Sequence, residues 1–432
     1  MRAPFFFTPI KMSVFRKTLF SKNFFTLWSS QVISEFGDKL NQMALVALVY
    51  TKAPGSVAAM AKLVFFVVVP VFLIGPVAGA YVDRWNRKKV MIISDIIRGS
   101  VVLVIPFFAV KGMMAVVYVL IFLSFSATRF FLPSKMAIIP SVVEDDNLLA
   151  ANSLTSTTRV IASALGFVGA GFIVKWLGFT WGFYIDGATY FISSILIFTI
   201  TSKEKFIKAE PDIKSFMAKE IFATAVRKNI WKEILEGAGY MIRPGKMREM
   251  GLALFSVMSG AGFIFCVLIV FVQDVMNGST KELGILGACA GAGLFAGTIL
   301  YGRFCQNFNK VRSMFAGFAF AGIFLSLFVM SEKFSGPLMI RWIALFLMGF
   351  SAGPIATCSN YLVHISVPDK VQGRVFSGVE SVMHLGFILF MGISTVASKY
   401  FSTFTILFYS GIIFAVLGAA GTMFSRKENI TE

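Results

Sequence analysis

The sequence predicts an all-α polytopic membrane protein with twelve transmembrane helices in two six-helix bundles, and three observations carry that prediction. First, 57% of the 432 residues are hydrophobic and 14% are charged, against roughly 45–50% and about 25% in a soluble domain. So few charges cannot coat a soluble chain of this length, and the apolar residues must face lipid. Second, apolar runs of about 20 residues, enough for a helix to cross about 30 Å of hydrocarbon, recur along the chain. Third, Lys and Arg gather in alternate gaps between those runs.

The expected spans are 24–50, 58–80, 91–110, 113–132, 153–175, 182–201, 250–272, 283–304, 313–331, 338–360, 375–397 and 405–425. With a cytoplasmic N-terminus, the segments expected inside the cell (1–23, 81–91, 129–152, 202–249, 303–312, 361–374 and 425–432) hold 29 Lys and Arg. The outer gaps hold chiefly Lys52, Lys111, Lys175, Lys281, Lys333 and Lys399. By the positive-inside rule both ends are therefore expected in the cytoplasm. The organisation that follows is a tail at 1–23, a bundle at 24–201, a central loop at 202–249, a second bundle at 250–425 and a tail at 426–432. Pro140 and Pro368 close corresponding runs in the two halves, as a duplication would give.

The net charge of +18 would suggest a nucleic-acid partner in a soluble protein. Here the cations sit in short clusters between spans, so a nucleic-acid partner is excluded. The stretch Met1 to Lys22 is a basic tail entering the first helix, since the apolar run after it is far longer than a signal-peptide core. In the central loop, Ile230, Trp231, Ile234, Leu235, Tyr240 and Met241 alternate with Lys228, Lys232, Glu233 and Glu236. That stretch is either a helix lying along the inner leaflet or a solvated linker helix. Cys266, Cys289, Cys305 and Cys358 show no CxxC spacing, and His364 and His384 stand twenty residues apart, so no metal site or disulfide framework is indicated. The glycines from Gly284 to Gly297 read as close helix packing.

Charge within a span is informative, because an ionisable group at the bilayer centre costs at least about 2.5–3.5 kcal/mol and so faces a cavity or a partner. Asp38 lies near the middle of the first span, and helical spacing puts Glu35, Asp38, Asn41 and Gln42 on one face. Glu35 or Asp38 is the expected proton carrier, taking and releasing a proton as water access alternates. The alternative is a structural pair of Asp38 with Lys39 or with an arginine, fastening the first span to a neighbour, although adjacent residues on a helix diverge and make Lys39 an awkward partner. Arg159, Asp186, Arg341, Asn360 and His384 are the other polar groups within spans, either lining a cavity or satisfied between helices.

The gap after the second span reads Gly79-Ala-Tyr-Val-Asp83-Arg84-Trp-Asn86-Arg87-Lys88. Gly79 would permit close helix approach, Asp83 could cap a helix, and the cations fix the loop on the inner side. The motif resembles the G-x-x-x-D-R-x-x-R-[KR] loop between spans two and three of the major facilitator superfamily, departing at Asn86, where that family commonly has glycine. The segments Arg129-Phe-Phe-Leu-Pro133, Asn147-Leu-Leu-Ala-Ala-Asn152, Glu236-Gly-Ala-Gly-Tyr240 and Gly373-Arg374 are similar to the macrolide-efflux and enterobactin-exporter group.

The resemblance implies a major facilitator fold in the inner membrane of a bacterium. It implies a gating role for Asp83, Arg84, Arg87 and Lys88, with Asp95, Arg98, Arg129 and Glu380 as candidate partners; simple anchoring of the arginines at the headgroups is the alternative. It further implies a monomer without cofactor or metal, not an enzyme. Such a protein would export a lipophilic or amphipathic small molecule, of drug, macrolide or siderophore type, by alternating access in exchange for protons. Each charge crossing 100 mV supplies about 2.3 kcal/mol, and no GxxxxGK[ST] motif is present. A lysophospholipid flippase or nutrient importer of the same fold is the alternative, and a membrane receptor or enzyme is a more distant one.

Overall fold

A computed structural model describes residues 12–82, 85–144, 147–201, 239, 246–275, 280–305, 308–333, 337–366 and 372–424. Asp83 and Arg84, the amphipathic stretch of the central loop, Pro368 and the side chains of Asn360, His364 and Glu380 lie outside what is described. The helices of this region are α1 (Met12–Leu19), α2 (Lys22–Lys52), α3 (Val57–Leu73), α4 (Gly75–Val82), α5 (Arg87–Val110), α6 (Met114–Val142) and α7 (Leu148–Leu177). They continue as α8 (Phe179–Thr199), α9 (Lys246–Val275), α10 (Thr280–Phe304), α11 (Lys310–Lys333), α12 (Leu338–Ser366), α13 (Gln372–Ala397) and α14 (Thr403–Phe424).

Nine of these helices are, among the described residues, long and apolar enough to cross a membrane. Two of the other three spans carry identifiable interruptions. In α2, Glu35, Asp38 and Lys39 interrupt the apolar surface. The second span is split into α3 and α4 at Ile74, between Pro70 and Pro76, whose missing N–H groups remove two rungs of the helical ladder. Ile74 N–H still donates to the Pro70 carbonyl at 3.0 Å and Ala78 N–H to Ile74 at 2.8 Å, so the span bends without parting. In α13 the stretch Val382–Ala397 is an apolar helix among the described residues, short of a full span by itself. Twelve spans therefore follow, six before the central loop and six after it.

One boundary departs from expectation. The fourth span does not end at residue 132: α6 runs through Pro133 and Pro140 to Val142. Proline in a transmembrane helix is tolerated where neighbouring groups satisfy the backbone, and within this unbroken helix the Ser134 and Ser141 hydroxyls donate to the Phe130 and Ile138 carbonyls. Lys135, which the loop reading would put in water, is consequently carried into the protein, where it is buried.

Two compact units emerge from the packing: residues 1–42, 69–166 and 180–221 form one, and 43–68, 167–179 and 222–432 the other. In the first, α5 lies along α6, and Phe24, Leu27, Met91, Phe131, Ile138, Ile139 and Ile197 form an apolar plug near the start of α2 and the end of α8. Asn23 ties these ends together, its amide donating to the Thr201 carbonyl at 2.8 Å and its carbonyl oxygen accepting from Thr201 N–H at 3.2 Å.

In the second unit, α10 packs against α12, α11 against α12 and α14, and α9 against α13. Lipid is as apolar as leucine, so such contacts depend on close backbone approach. Gly293 and Gly297 of α10 abut the Phe346 and Phe350 carbonyls of α12, and Gly349 and Gly353 abut α10 in return. Gly284 lies against the Phe167 carbonyl of α7, and Thr280 donates to the Gly171 carbonyl at 3.1 Å. Gly79, by contrast, faces open space, with nothing within 4 Å of the position of a Cβ. The close approach expected there falls elsewhere in the first unit, at Gly99 and Gly187.

Candidate functional site

Helical periodicity places Asp186, Thr189, Tyr190 and Ser193 on a single buried stripe of α8. Asp95 and Arg98, one turn apart, sit on the buried face of α5. Next to them, Gly99 and Gly187 let the two helices meet. A Cβ on Gly99 would lie 3.2 Å from the Gly187 carbonyl oxygen, and one on Gly187 would lie 2.6 Å from Leu103 Cγ. The close crossing presses the two polar stripes together.

Ser193 Oγ donates to Asp95 Oδ2 at 2.7 Å, and Arg98 Nη2 donates to Asp95 Oδ1. Arg98 Nη1 stands 3.9 Å from Asp38 Oδ1 on α2, and the Tyr190 hydroxyl donates to the same oxygen. The Arg98 guanidinium is held between two rings, 4.3 Å from the Phe131 centroid and 4.2 Å from that of Tyr190. Its side chain is 1% exposed and that of Asp95 0%, whereas Asp38 is 31% exposed. A desolvated cation over an aromatic face gains about 2 kcal/mol or more, of the same order as the insertion cost of the charge. Two rings and two carboxylates thus account for an arginine buried in a membrane span.

A second pair lies one turn away on α2, where Lys135 Nζ reaches Glu35 Oε1 at 3.3 Å with both groups largely buried. It balances its own charge. The central cluster does not: Asp38, Asp95 and Asp186 face one guanidinium. A buried excess of acid attracts a cation or a proton. No grouping of three or more His, Cys, Asp or Glu suited to a metal occurs among the described residues.

The other sequence-predicted residues are dispersed. Asn41 is buried on α2, its Oδ1 without a hydrogen-bond partner among the described residues, and Gln42 beside it is half-buried. The Lys39 stem packs against Gly166 of α7. Arg159 is exposed on α7, and Arg129 and His384 are half-buried on α6 and α13. Arg341 pairs with Glu332 at 2.8 Å, joining the start of α12 to the end of α11.

In the loop motif, Asn86 caps α5 by accepting from Lys89 N–H at 2.9 Å, which gives the residue in the glycine position a clear role. Arg87 Nη1 donates to the Ala137 carbonyl of α6 at 2.8 Å. Lys88 Nζ donates to the Phe198 and Ile200 carbonyls at 2.7 Å each, placing a cation on the negative end of α8. Asp95 and Arg98 are the expected candidate partners of Asp83, Arg84 and Arg87, of which Asp83 and Arg84 lie outside the described residues. Asp95 and Arg98 lie two to three turns beyond Arg87 along α5 and join Asp38.

Sequence reasoning missed Lys135, Tyr190, Thr189 and Ser193, and left Asp186 between lining a cavity and being satisfied between helices. The signal available was the i, i+3, i+4, i+7 spacing of Asp186, Thr189, Tyr190 and Ser193. Lys135 was hidden by ending the fourth span at residue 132.

Comparison with known proteins agrees with this architecture. Among solved structures, a bacterial homologue of the iron transporter ferroportin in an inward-facing state superposes with a TM-score of 0.64 at 14% identity, covering 93% of this chain and 98% of that one. A peptide transporter, POT, gives a TM-score of 0.69 at 14% identity, covering 93% and 94%. Among relatives in sequence, the uncharacterized MFS-type transporter YfiS of Bacillus subtilis is 25% identical over 421 residues, 94% of each chain. Macrolide efflux protein A of Streptococcus pyogenes is 26% identical over 372 residues, 84% of this chain and 86% of that one. The family described as transmembrane secretion effector matches residues 12–428. The chain is therefore a multi-pass membrane transporter, not an enzyme, and belongs to the transmembrane secretion effector family of the major facilitator fold.

Proposed function

We propose that this transporter exports a lipophilic or amphipathic small molecule in exchange for protons by alternating access, with both termini in the cytoplasm. The observation that carries the reading is the excess of carboxylates around Arg98, with Asp38 as the one member whose side chain is partly exposed. A partly exposed acid held by a buried arginine and a tyrosine can exchange a proton with water, or lose its arginine to a substrate, without the rest of the cluster moving. The efflux relatives support the direction: macrolide efflux protein A by its name, and BacE of Bacillus subtilis, assigned to bacilysin export and 26% identical over 363 residues, 83% of this chain and 85% of that one. Arg87 and Lys88, bound to carbonyls at the ends of α6 and α8, suit a gate element at the face where α5 begins.

The test is accumulation of macrolides and lipophilic dyes in a bacterium stripped of its own pumps. Cells expressing the wild type should accumulate less than cells without it, and an uncoupler should erase the difference. Unchanged accumulation at verified membrane levels would remove macrolides and dyes as cargo and favour a lysophospholipid or siderophore instead.

A further inference from the structure

Asp186 is fully buried on α8, yet among the described residues neither of its carboxyl oxygens receives a committed hydrogen-bond donor. Its Oδ2 has no partner among the described residues. Its Oδ1 lies 3.4 Å from Thr189 Oγ1, but the single hydrogen of that hydroxyl is donated to the Asp186 backbone carbonyl, 2.7 Å away. What Thr189 turns toward the carboxyl is therefore a lone pair, an acceptor rather than a donor. Its neighbours differ. Asp95 receives Arg98 on one oxygen and Ser193 on the other, and Asp38 receives Tyr190 and lies beside Arg98.

The charged and titratable groups facing Asp186 are Asp38 on α2, Asp95 and Arg98 on α5, and Tyr190 on its own helix. Two are acids, and the guanidinium pairs with both of them. On the remaining side the backbone of α2 closes over the carboxyl: a Cβ on Gly37 would stand 2.5 Å from Asp186 Oδ1 and would strike Thr189 Oγ1. An ionised carboxylate in that place would be fully buried without a committed donor among the described residues, whereas a neutral acid can donate its proton to Thr189 and leave Oδ2 as a carbonyl, which tolerates isolation far better.

We infer that Asp186 holds a proton in this conformation, donated from Oδ1 to Thr189 Oγ1, and is the inner proton store of the cluster. On release the O–H bond breaks, its electron pair stays on Asp186, and the proton passes to a carboxyl oxygen of Asp38, whose side chain is partly exposed. The role in transport rests on the proton-exchange reading, but the protonation itself does not.

The experiment is infrared difference spectroscopy on the full-length protein in lipid nanodiscs, without substrate, as the pH is raised from neutral to alkaline. The wild type should show the C=O stretching band of a protonated carboxylic acid, shifted in heavy water and lost at high pH. Asp186→Asn should lose the band and Asp38→Asn should keep it. Thr189→Val, which removes the acceptor, should move its frequency and covers the case in which Asp186→Asn does not fold. A wild type without the band, a band undiminished in Asp186→Asn, or a frequency unchanged in Thr189→Val would overturn the assignment. If the band behaves as stated while efflux ignores the uncoupler, the proton-exchange reading fails and Asp186 remains a protonated acid.

Discussion

Arg98 governs the site at the scale of single residues, because two carboxylates depend on it. Removing one partner of a buried ion pair leaves an uncompensated charge and costs about 3–5 kcal/mol. Arg98→Met should therefore lower the thermal unfolding temperature in detergent far more than Asp95→Asn, which keeps the shape and leaves Asp38 to hold the guanidinium. Equal shifts would show that the two residues act only as packing. Glu35 and Lys135 offer a cleaner measurement, since their pair is separate from the cluster. Lys135→Met and Glu35→Gln should each destabilise, and the double variant should recover a coupling of about 0.5–3 kcal/mol in a thermal double-mutant cycle. Strict additivity would deny the contact. Of these residues, Asp38 and Glu35 were legible from the sequence, because charge inside an apolar run is costly wherever it sits. Their partners were not: pairing across helices depends on rotation about each helix axis, which the order of residues in one span does not contain.

Helices were the most legible level, since the length of an apolar run is set by the bilayer and every expected span exists. The failures occur where local and tertiary preferences compete. Pro133 is a stop signal in water, but in α6 the helix continues, because an unsatisfied backbone group in a membrane has nowhere else to go. Gly79 and Gly187 look alike in the sequence, yet only Gly187 meets a neighbour. Gly187→Leu should therefore push α8 away from α5, separate Ser193 from Asp95 and reduce the monodisperse fraction extracted in detergent, while Gly79→Leu should leave that fraction near the wild type. Overpacking of this kind costs about 1–3 kcal/mol. In the second unit, Gly353→Leu should act like Gly187→Leu, because Gly353 meets the backbone of α10 at Gly297. An equal yield of Gly353→Leu and wild type would mean that α10 and α12 can separate without harm.

For the whole molecule, composition, span count and the loop motif sufficed to place the chain in its fold, and the family match over residues 12–428 agrees. Cargo was not legible, because a cavity for lipophilic molecules is built from the same Phe and Met that face lipid everywhere else. The coupling claim is narrower and depends on Asp38 exchanging a proton that the transported molecule replaces. Purified protein reconstituted in liposomes with an entrapped pH-sensitive dye measures this directly, when a macrolide or lipophilic dye is added across a preset pH gradient. The account predicts cargo-dependent proton movement with the wild type, reduced at least about tenfold in Asp38→Asn, a loss of about 1.4 kcal/mol in driving interaction. Cargo movement that proceeds equally with and without the gradient, and equally in Asp38→Asn, would contradict it.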